Sequence, residues 1–349
     1  MDLSKGFRDK KDEWFVARID TIFLLCLALF SGWKMIIAAD FEAFYGIPYP
    51  GIVDVLAEAA KILKYSNTFP VGGTTTFFLL PYTLTLLLKL GIVGKTPLYL
   101  CIFSNLFCGL TTYLLAGEMY GKKVGFMSGL LVLSNWHFWW WSSVLLADAP
   151  NLLLMSVSVY LFYRGTRRGS RLSLWYSAIL LALTVLTKYS SIVLIVLFVV
   201  DRLVNYRGWF WLSFTETLVA LFFFAAVMVA WGIYNVQLGR EFFGPLVGNI
   251  GMNAPVETGT WTLLIAGLSR LKYHVVDGGF PLVFSIPCTI LSIFGFAYAL
   301  VTGKTGKNRE YFLLAWILIF LFAFSFGVNY AYERYALHWT VPVLIGSSL

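Results

Sequence analysis

Long apolar runs separated by short basic segments constrain this chain more than any other feature. The 349 residues are 59% hydrophobic and only 13% charged, whereas soluble domains carry about 25% charged residues. Several of the runs, such as 19–39, reach the roughly 20 residues that an α-helix needs to cross a bilayer. The sequence therefore predicts an all-α, polytopic integral membrane protein with about ten transmembrane helices.

Positive charge predicts the orientation of these helices, because the cytoplasmic loops of membrane proteins are enriched in lysine and arginine. The densest basic loop holds Arg164, Arg167, Arg168 and Arg171, so we expect it in the cytoplasm. The basic N-terminus is then cytoplasmic too, and the helix beginning near Asp148 starts at the extracytoplasmic face of the cell membrane. The net charge of +8 comes from such loops and does not indicate a nucleic-acid partner.

In this orientation the first helix ends outside the cell, and the helix predicted at 97–117 begins there. The apolar run 75–91 between them is then expected to lie in the membrane interface rather than to cross it. The alternative is that 75–91 spans the bilayer, which would move Asp148 to the cytoplasm and the arginine-rich loop outside, against the charge rule.

The chain is expected to form one domain, residues 1–349, with two substantial outer loops. The first loop covers 40–96 and contains a short interfacial helix predicted from its apolar spacing at 52–63. The second covers 237–278, where Arg270, Lys272 and His274 are expected on a solvated face. No segment is long and polar enough for a separate soluble domain, so any chemistry is expected at the outer membrane face.

Carboxylates mark the outer ends of these predicted helices, and acidic groups near lipid are functional by default. Asp40, Glu42 and Asp54 follow the first helix, and Asp148 follows an aromatic run at 136–141. Structural roles stay open for three of them: Asp40 as a polar cap past a helix end, and Asp54 and Asp148 as N-caps. The aromatic run itself is typical of a membrane-interface belt.

Lys188 interrupts an apolar stretch at 172–204, where one continuous helix would place a lysine at mid-membrane. Two shorter helices meeting outside at Lys188 avoid that cost. A cation beside hydroxyls at such a break suits an anionic headgroup, while a snorkelling lysine is the alternative. Arg334 could hold the same anion or pair with Glu333.

Several chemistries lack their motifs in this sequence. There is no phosphate-binding P-loop, no G-x-G-x-x-G fingerprint and no H-E-x-x-H zinc motif. The cysteines have no metal-ligand spacing, and we expect them to act as small apolar residues. Nucleotide-driven chemistry within this chain is therefore not predicted, and no convincing set of metal ligands is present.

Six segments, taken in order, resemble the GT-C superfamily of polytopic glycosyltransferases. The similar branch contains the dolichyl-phosphate-mannose–protein mannosyltransferases and the aminoarabinose–lipid A transferases. The resemblance covers most of the chain. Its segments are Asp40-Phe41-Glu42 with Tyr45, Asp54-Val55-Leu56-Ala57-Glu58-Ala59-Ala60-Lys61, Phe69-Pro70-Val71-Gly72, Leu145-Leu146-Ala147-Asp148-Ala149-Pro150, Leu186-Thr187-Lys188-Tyr189-Ser190, and Arg334-Tyr335 with Pro342.

The resemblance implies an inverting transfer of a sugar from a polyprenyl-phosphate donor to an acceptor hydroxyl on a protein, lipid or glycan. It implies a first-loop aspartate as base and basic residues that stabilise the departing lipid phosphate, with a divalent cation left open. Two alternatives remain, a transporter or lipid flippase and a noncatalytic subunit of a glycosylation complex. The residues expected in catalysis are Asp40, Asp54 and Asp148, and those expected to bind substrate are Glu42, Tyr45, Lys188, Tyr189, Arg334 and Tyr335.

Overall fold

A computed structural model describes most of the chain. The described residues are 3–39, 83, 86, 90, 96–142, 147–205, 210–237, 241–243, 260–277, 279–302, 308–327 and 337–349. Every regular element among them is helical, as the sequence predicts. In chain order the α-helices are α1 (Leu3–Ala39), α2 (Thr96–Tyr120), α3 (Lys122–Ser134), α4 (Trp136–Ser142), α5 (Asp148–Arg168), α6 (Arg171–Thr187), α7 (Leu194–Asn205), α8 (Phe210–Gln237), α9 (Thr260–Lys272), α10 (Gly279–Thr302), α11 (Asn308–Phe326) and α12 (Thr340–Gly346).

Within the described residues, four helical segments are long and apolar enough to cross a bilayer by themselves. The predicted break at Lys188 is confirmed, because α6 ends at Thr187 and a 3₁₀ turn over Tyr189–Val193 precedes α7. The count of about ten spans stays a prediction. The four segments are Arg18–Ile36, Tyr99–Tyr120, Thr215–Gln237 and Arg309–Phe326.

The arginine-rich loop is a tight helical hairpin between α5 and α6. Gly169 adopts the left-handed conformation (φ 67°) that ends many helices, and only glycine does so without steric cost. The side chain of Ser170 then accepts a hydrogen bond from the backbone N–H of Ser173 and so caps α6. This turn makes α5 and α6 antiparallel neighbours.

Helices α2 and α3 form a second hairpin whose close approach depends on glycine. A Cβ added at Gly125 would lie 2.6 Å from the carbonyl oxygen of Tyr113 and 2.9 Å from the backbone nitrogen of Gly117. Small residues four apart allow such backbone contact between membrane helices, and Gly125 and Gly129 have that spacing.

We expect Gly125→Ala to destabilise the protein by about 1–3 kcal/mol, because the added methyl group meets backbone atoms that cannot move independently. The measurement is the thermal unfolding midpoint of the purified protein in detergent. Gly32→Ala is the matched control, since nothing lies within 4 Å of a Cβ at that position. Equal unfolding midpoints for the two variants would contradict the close packing.

Helix α1 runs parallel to α3 and α4. Along α1, Asp20 accepts from Lys122, the ring of Phe23 lies 6.2 Å from that of Phe126, and Lys34 donates to Ser142. Because the α2–α3 hairpin makes α2 antiparallel to α3, α2 is also antiparallel to α1. Helix α1 therefore ends, and α2 begins, at the same end of the bundle.

Helix α5 runs in the same direction as α2, since Cys108 contacts Ser156 near the middle and Glu118 pairs with Arg168 near the end. The start of α5 consequently lies at the end of the bundle where α1 ends. We call this the Asp148 end, and we call the opposite end, which holds Arg167, Arg168 and Arg171, the arginine end.

The core of the bundle surrounds α11, whose Trp316 and Phe320 are fully buried. Helix α11 begins at the arginine end, where Arg309 donates to the carbonyl oxygen of Met119. It ends at the Asp148 end, where Arg270 of α9 donates to the carbonyl oxygen of Ser325 over 2.7 Å. The short helix α12 is buried beside it, and the buried residues His338 and Trp339, which precede α12, lie at the Asp148 end.

Candidate functional site

A buried ion pair lies at the Asp148 end. The ammonium group of Lys188 donates a hydrogen bond to Asp148 Oδ1, and the side chains of Lys188 and Asp148 are only 7% and 1% exposed. Lys188 is therefore not a snorkelling lysine, because its charge is directed into the bundle and not to the surface. Removing one partner from such a pair leaves a buried charge without compensation.

Asp148 is not an N-cap, contrary to the structural alternative drawn from the sequence. Ala147 occupies the cap position, and Asp148 is the first residue of α5. Its carboxylate accepts a hydrogen bond from Lys188 at the N-terminal end of α5. Lys188 is placed by the break after Thr187, where extended backbone (φ −154°, ψ 111°) replaces the helix.

Hydroxyl and amide groups surround the pair on the same two segments. Ser191 Oγ donates to Asn151 Oδ1 over 2.9 Å, one turn along α5 from Asp148. Ser190 Oγ lies 3.4 Å from His338 Nε2, which links the break to the residues before α12. Tyr189, expected to bind substrate, lies beside them and is half-buried. The break thus gathers polar groups from three parts of the chain.

The sequence did not single out His338 or Asn151 as site residues. His338 is buried between the rings of Phe320 and Phe324, at centroid distances of 5.3 Å and 5.0 Å. The one available signal was its position two residues before an apolar helix, which does not distinguish it from a core histidine. Asn151 follows Asp148 by three residues, a spacing that places both on one helix face.

The expected solvated face at the end of α9 is correct for Lys272 and wrong for Arg270 and His274. Lys272 is 68% exposed and pairs with Asp277 over 3.4 Å. Arg270 and His274 are buried, because α9 packs against the end of α11 and the ring of His274 meets Trp339 at 5.3 Å. The amphipathic pattern of α9 showed which face of the helix was apolar. It did not show that other parts of the chain would cover the residues beside that face.

Burial lowers the pKa of His274 to about 4, and the positive charge of Arg270 acts in the same direction. The unfolded chain has the ordinary pKa of about 6.5, so it binds a proton that the folded protein rejects as the pH falls. We expect His274→Gln to reduce the loss of stability between about pH 6.5 and pH 5 by on the order of 2 kcal/mol.

The measurement for this histidine is the unfolding midpoint of wild type and variant across that pH range. Lys272→Gln is the control, because Lys272 is exposed and lies two residues from His274 on the same segment. If the unfolding midpoint of His274→Gln fell with decreasing pH as steeply as that of the wild type, the role of His274 would be contradicted.

A second buried cation, Lys34 of α1, lies near the same end. Its ammonium donates to Ser142 Oγ over 2.6 Å and lies 5.6 Å from the centre of the Trp139 ring. The sequence analysis missed Lys34, although a lone lysine inside an apolar run was a signal for it. Within the aromatic run, Phe138 and Trp139 are buried and Trp136 is 63% exposed.

The other predicted site residues lie outside the part of the chain that the structure describes. So do all but three residues of the 75–91 run. Their roles stay predictions. Among the described residues, no three His, Cys, Asp or Glu side chains are close enough to bind one metal ion. The site residues outside the description are Asp40, Glu42, Tyr45, Asp54, Arg334 and Tyr335.

This chain is similar to known proteins in part of its sequence and in its fold. Residues 76–232 match the family model described as dolichyl-phosphate-mannose-protein mannosyltransferase. The fold resembles that of ArnT from Cupriavidus metallidurans in the apo state (TM-score 0.62, 14% identity, 86% of this chain and 54% of that chain). The same enzyme bound to undecaprenyl phosphate gives a TM-score of 0.63 at 13% identity, over 92% of this chain and 59% of that chain.

The oligosaccharyltransferase of Archaeoglobus fulgidus in its apo form also matches, with a TM-score of 0.65 at 14% identity over 96% of this chain and 50% of that chain. The chain thus spans between 50% and 59% of the length of these three structures. No curated protein sequence matches it. The chain is therefore similar to this mannosyltransferase family over residues 76–232, and it shares its fold with these membrane enzymes.

Proposed function

We propose that this chain is a membrane glycosyltransferase that moves a sugar from a polyprenyl-phosphate donor to an acceptor hydroxyl at the extracytoplasmic face, with inversion. The observation that carries the proposal is the buried Asp148–Lys188 pair at the end of the bundle where α1 ends and α2 begins. The mannosyltransferase family match supports this class of reaction. So do the structures of relatives bound to undecaprenyl phosphate and in complex with a dolichol-phosphate.

In the proposed reaction, a carboxylate takes the proton of the acceptor hydroxyl as its oxygen attacks the anomeric carbon of the sugar. The bond between that carbon and the phosphate oxygen breaks, and its electron pair leaves with the lipid phosphate. Attack opposite the leaving group inverts the anomeric centre. Asp40 or Asp54 is the proposed base, and Glu42 and Tyr45 are proposed to bind the acceptor.

Basic and hydroxyl groups are proposed to stabilise the charge that develops on the departing phosphate. Lys188 is suited to this because it is a buried cation at the Asp148 end, where its ion pair with Asp148 holds it. Asp148 is then the group that keeps Lys188 charged and oriented within the bundle. Tyr189, Arg334 and Tyr335 are the other proposed phosphate-binding residues.

An apolar cavity of about 550 Å³ beside the site suits the isoprenoid chain of such a donor. It lies between α7, α9 and α11, and its lining is entirely aliphatic or aromatic. Val193 at one edge is two residues from Ser191, and Phe326 at another follows Ser325, the acceptor of the Arg270 hydrogen bond. A lipid tail in this cavity would bring its phosphate to the Asp148 end.

The proposed orientation has a cytoplasmic N-terminus and an extracytoplasmic Asp148 end. Single cysteines at Lys272 and Arg168 test it in a background from which the four native cysteines have been removed. These positions are 68% and 59% exposed and lie at opposite ends of the bundle. We expect a membrane-impermeant maleimide to label Lys272→Cys in intact cells and to label Arg168→Cys only after the membrane is opened. The reverse pattern would overturn the orientation.

The decisive test of function is transfer by the purified chain in liposomes supplied with radiolabelled polyprenyl-phosphate sugars. Protein, lipid and glycan acceptors are offered separately, each with and without a chelator to test for a divalent cation. The expected result is labelled acceptor with inverted anomeric configuration and an equal amount of released polyprenyl phosphate. Binding of polyprenyl phosphate without any transfer would instead support a noncatalytic subunit, and movement of the lipid between leaflets would support a flippase.

A further inference from the structure

An apolar cleft at the arginine end lies far from the proposed active site and has no part in the proposed reaction. It is bordered by α7 and α8 and floored by α5 and α6, and we call it the α7–α8 cleft. Its free volume is about 80 Å³. The side chains that shape it are Ala178, Leu181, Ile195, Val199, Ala220 and Leu221.

The position of the cleft along the bundle follows from the contacts above and below it. Towards the Asp148 end, Met228 and Trp231 of α8 pack with Val185 of α6 in a buried cluster. At the arginine end, Arg171 of α6 pairs with Glu216 of α8 over 3.2 Å. Between these two contacts α8 stands away from α7, so the cleft occupies the half of the membrane nearest the arginines.

The cleft opens to the lipid phase. Val199 on its α7 side and Leu221 on its α8 side are 45% and 46% exposed. Helix α8 is itself largely lipid-facing, with only 17% of its most apolar window buried. An acyl chain can therefore reach the cleft laterally from the bilayer without crossing any polar surface.

The lining chemistry selects an apolar occupant. Ser177 is a polar residue on the floor of the cleft, and its hydroxyl already donates to the carbonyl oxygen of Ser158 over 2.8 Å. Water in the cleft would find few partners, whereas an empty space would forfeit the dispersion contacts of its walls. A hydrocarbon chain recovers those contacts at no cost in hydrogen bonds.

A positive charge closes the end of the cleft nearest the membrane surface. Arg202 lines that end, with its guanidinium 5.8 Å from the centre of the Phe162 ring. Arg167, Arg168 and Arg171 lie at the same end, each paired with a carboxylate. Arginine is the residue best suited to hold a phosphate at an interface, because its planar group offers several donors.

We propose that the α7–α8 cleft binds one acyl chain of an anionic glycerophospholipid whose phosphate lies against Arg202. The occupant is a lipid of the leaflet at the arginine end, which is distinct from the polyprenyl donor proposed for the Asp148 end. A short part of its acyl chain fills the gap between α7 and α8 and so connects α7 to α8, which otherwise packs mainly on α6.

The test uses phosphatidylglycerol with a photoactivatable group in its acyl chain, incubated with the full chain in detergent and irradiated. We expect crosslinks on α7 and α8 peptides that contain Val199 and Leu221. Ala220→Trp fills the cleft and should reduce this labelling about tenfold, equivalent to ~1.4 kcal/mol. Ala225→Trp adds the same side chain at an exposed position of α8 outside the cleft and should leave labelling unchanged.

The headgroup is tested by competition in the wild-type protein, which does not depend on any variant folding. Unlabelled phosphatidylglycerol should displace the probe at about tenfold lower concentration than phosphatidylcholine, and Arg202→Gln should abolish that difference. Arg164→Gln removes a half-buried arginine at the same end that does not line the cleft, and it should preserve the difference. Equal competition by the two lipids would overturn the anionic headgroup.

Two further results would overturn the whole proposal. One is labelling that is the same in wild type, Ala220→Trp and Ala225→Trp, which would mean that the cleft is not the binding site. The other is displacement by undecaprenyl phosphate at lower concentration than by phosphatidylglycerol, which would identify the cleft as part of the donor site. Because crosslinking needs no glycosyl transfer, its outcome is independent of the proposed enzyme activity.

Discussion

Asp148→Asn is expected to destabilise the protein by about 3–5 kcal/mol, because it leaves the ammonium of Lys188 buried without a counter-ion. The double variant Asp148→Leu with Lys188→Met should recover most of that loss, since it removes both charges and keeps the volume apolar. Sugar transfer should nevertheless stay at least about 100-fold below wild type in the double variant, because the phosphate loses its cation. The measurements are thermal unfolding midpoints and initial transfer rates.

The ion pair between Arg171 and Glu216 provides the matched control. It also joins one basic and one acidic side chain, but the arginine side chain is 64% exposed. Glu216→Gln should therefore change the stability by less than about 1 kcal/mol and leave transfer unchanged. Recovery of both stability and activity in the Asp148/Lys188 double variant would show that the pair is only a structural contact.

Replacing the first-loop base is expected to have the largest effect on the reaction itself. Of Asp40→Asn and Asp54→Asn, the variant that removes the base should lower kcat by about 10²–10⁴-fold with little change in KM for the donor. The wild-type rate should fall at low pH, because a carboxylate base becomes protonated there. The rate of the variant that lacks the base should not show this fall. Single-turnover rates across pH separate the two aspartates.

Glu58→Gln is the matched control for these substitutions, because Glu58 belongs to the same predicted interfacial helix as Asp54 and has no assigned role. The unfolding midpoint of each variant shows whether a loss of rate reflects a loss of fold. If both aspartate variants transferred sugar at the wild-type rate, neither residue would be the base, and the reading of the first loop would be wrong.

The helical architecture was predictable because apolar length and loop charge are direct consequences of the bilayer. The break at Lys188 was predictable for the same reason, since a lysine at mid-membrane is costly enough to exclude one continuous helix. Asp148 and Lys188 were each recognised as site residues, but their pairing was not, because it depends on how α5 and α6 align after the turn at Gly169. That alignment is not visible in the spacing of either segment.

Residues covered by distant parts of the chain were the ones that sequence reasoning placed wrongly or missed. Arg270 and His274 resemble exposed loop residues until the end of α11 and Trp339 pack over them. Lys34 resembles a stray charge in the first helix until α4 supplies Ser142. In each case the deciding contact joins residues more than 50 positions apart, and no local pattern encodes it.

Because α1 leaves the bundle and α2 rejoins it at one end, changes in the length of the connection between them do not reverse the direction of any later helix. Insertions or deletions there would keep Asp148 and Lys188 on their present side of the membrane. If the proposed roles hold, a chain built this way can exchange the part proposed to bind its acceptor while the frame proposed to hold the donor phosphate is inherited unchanged.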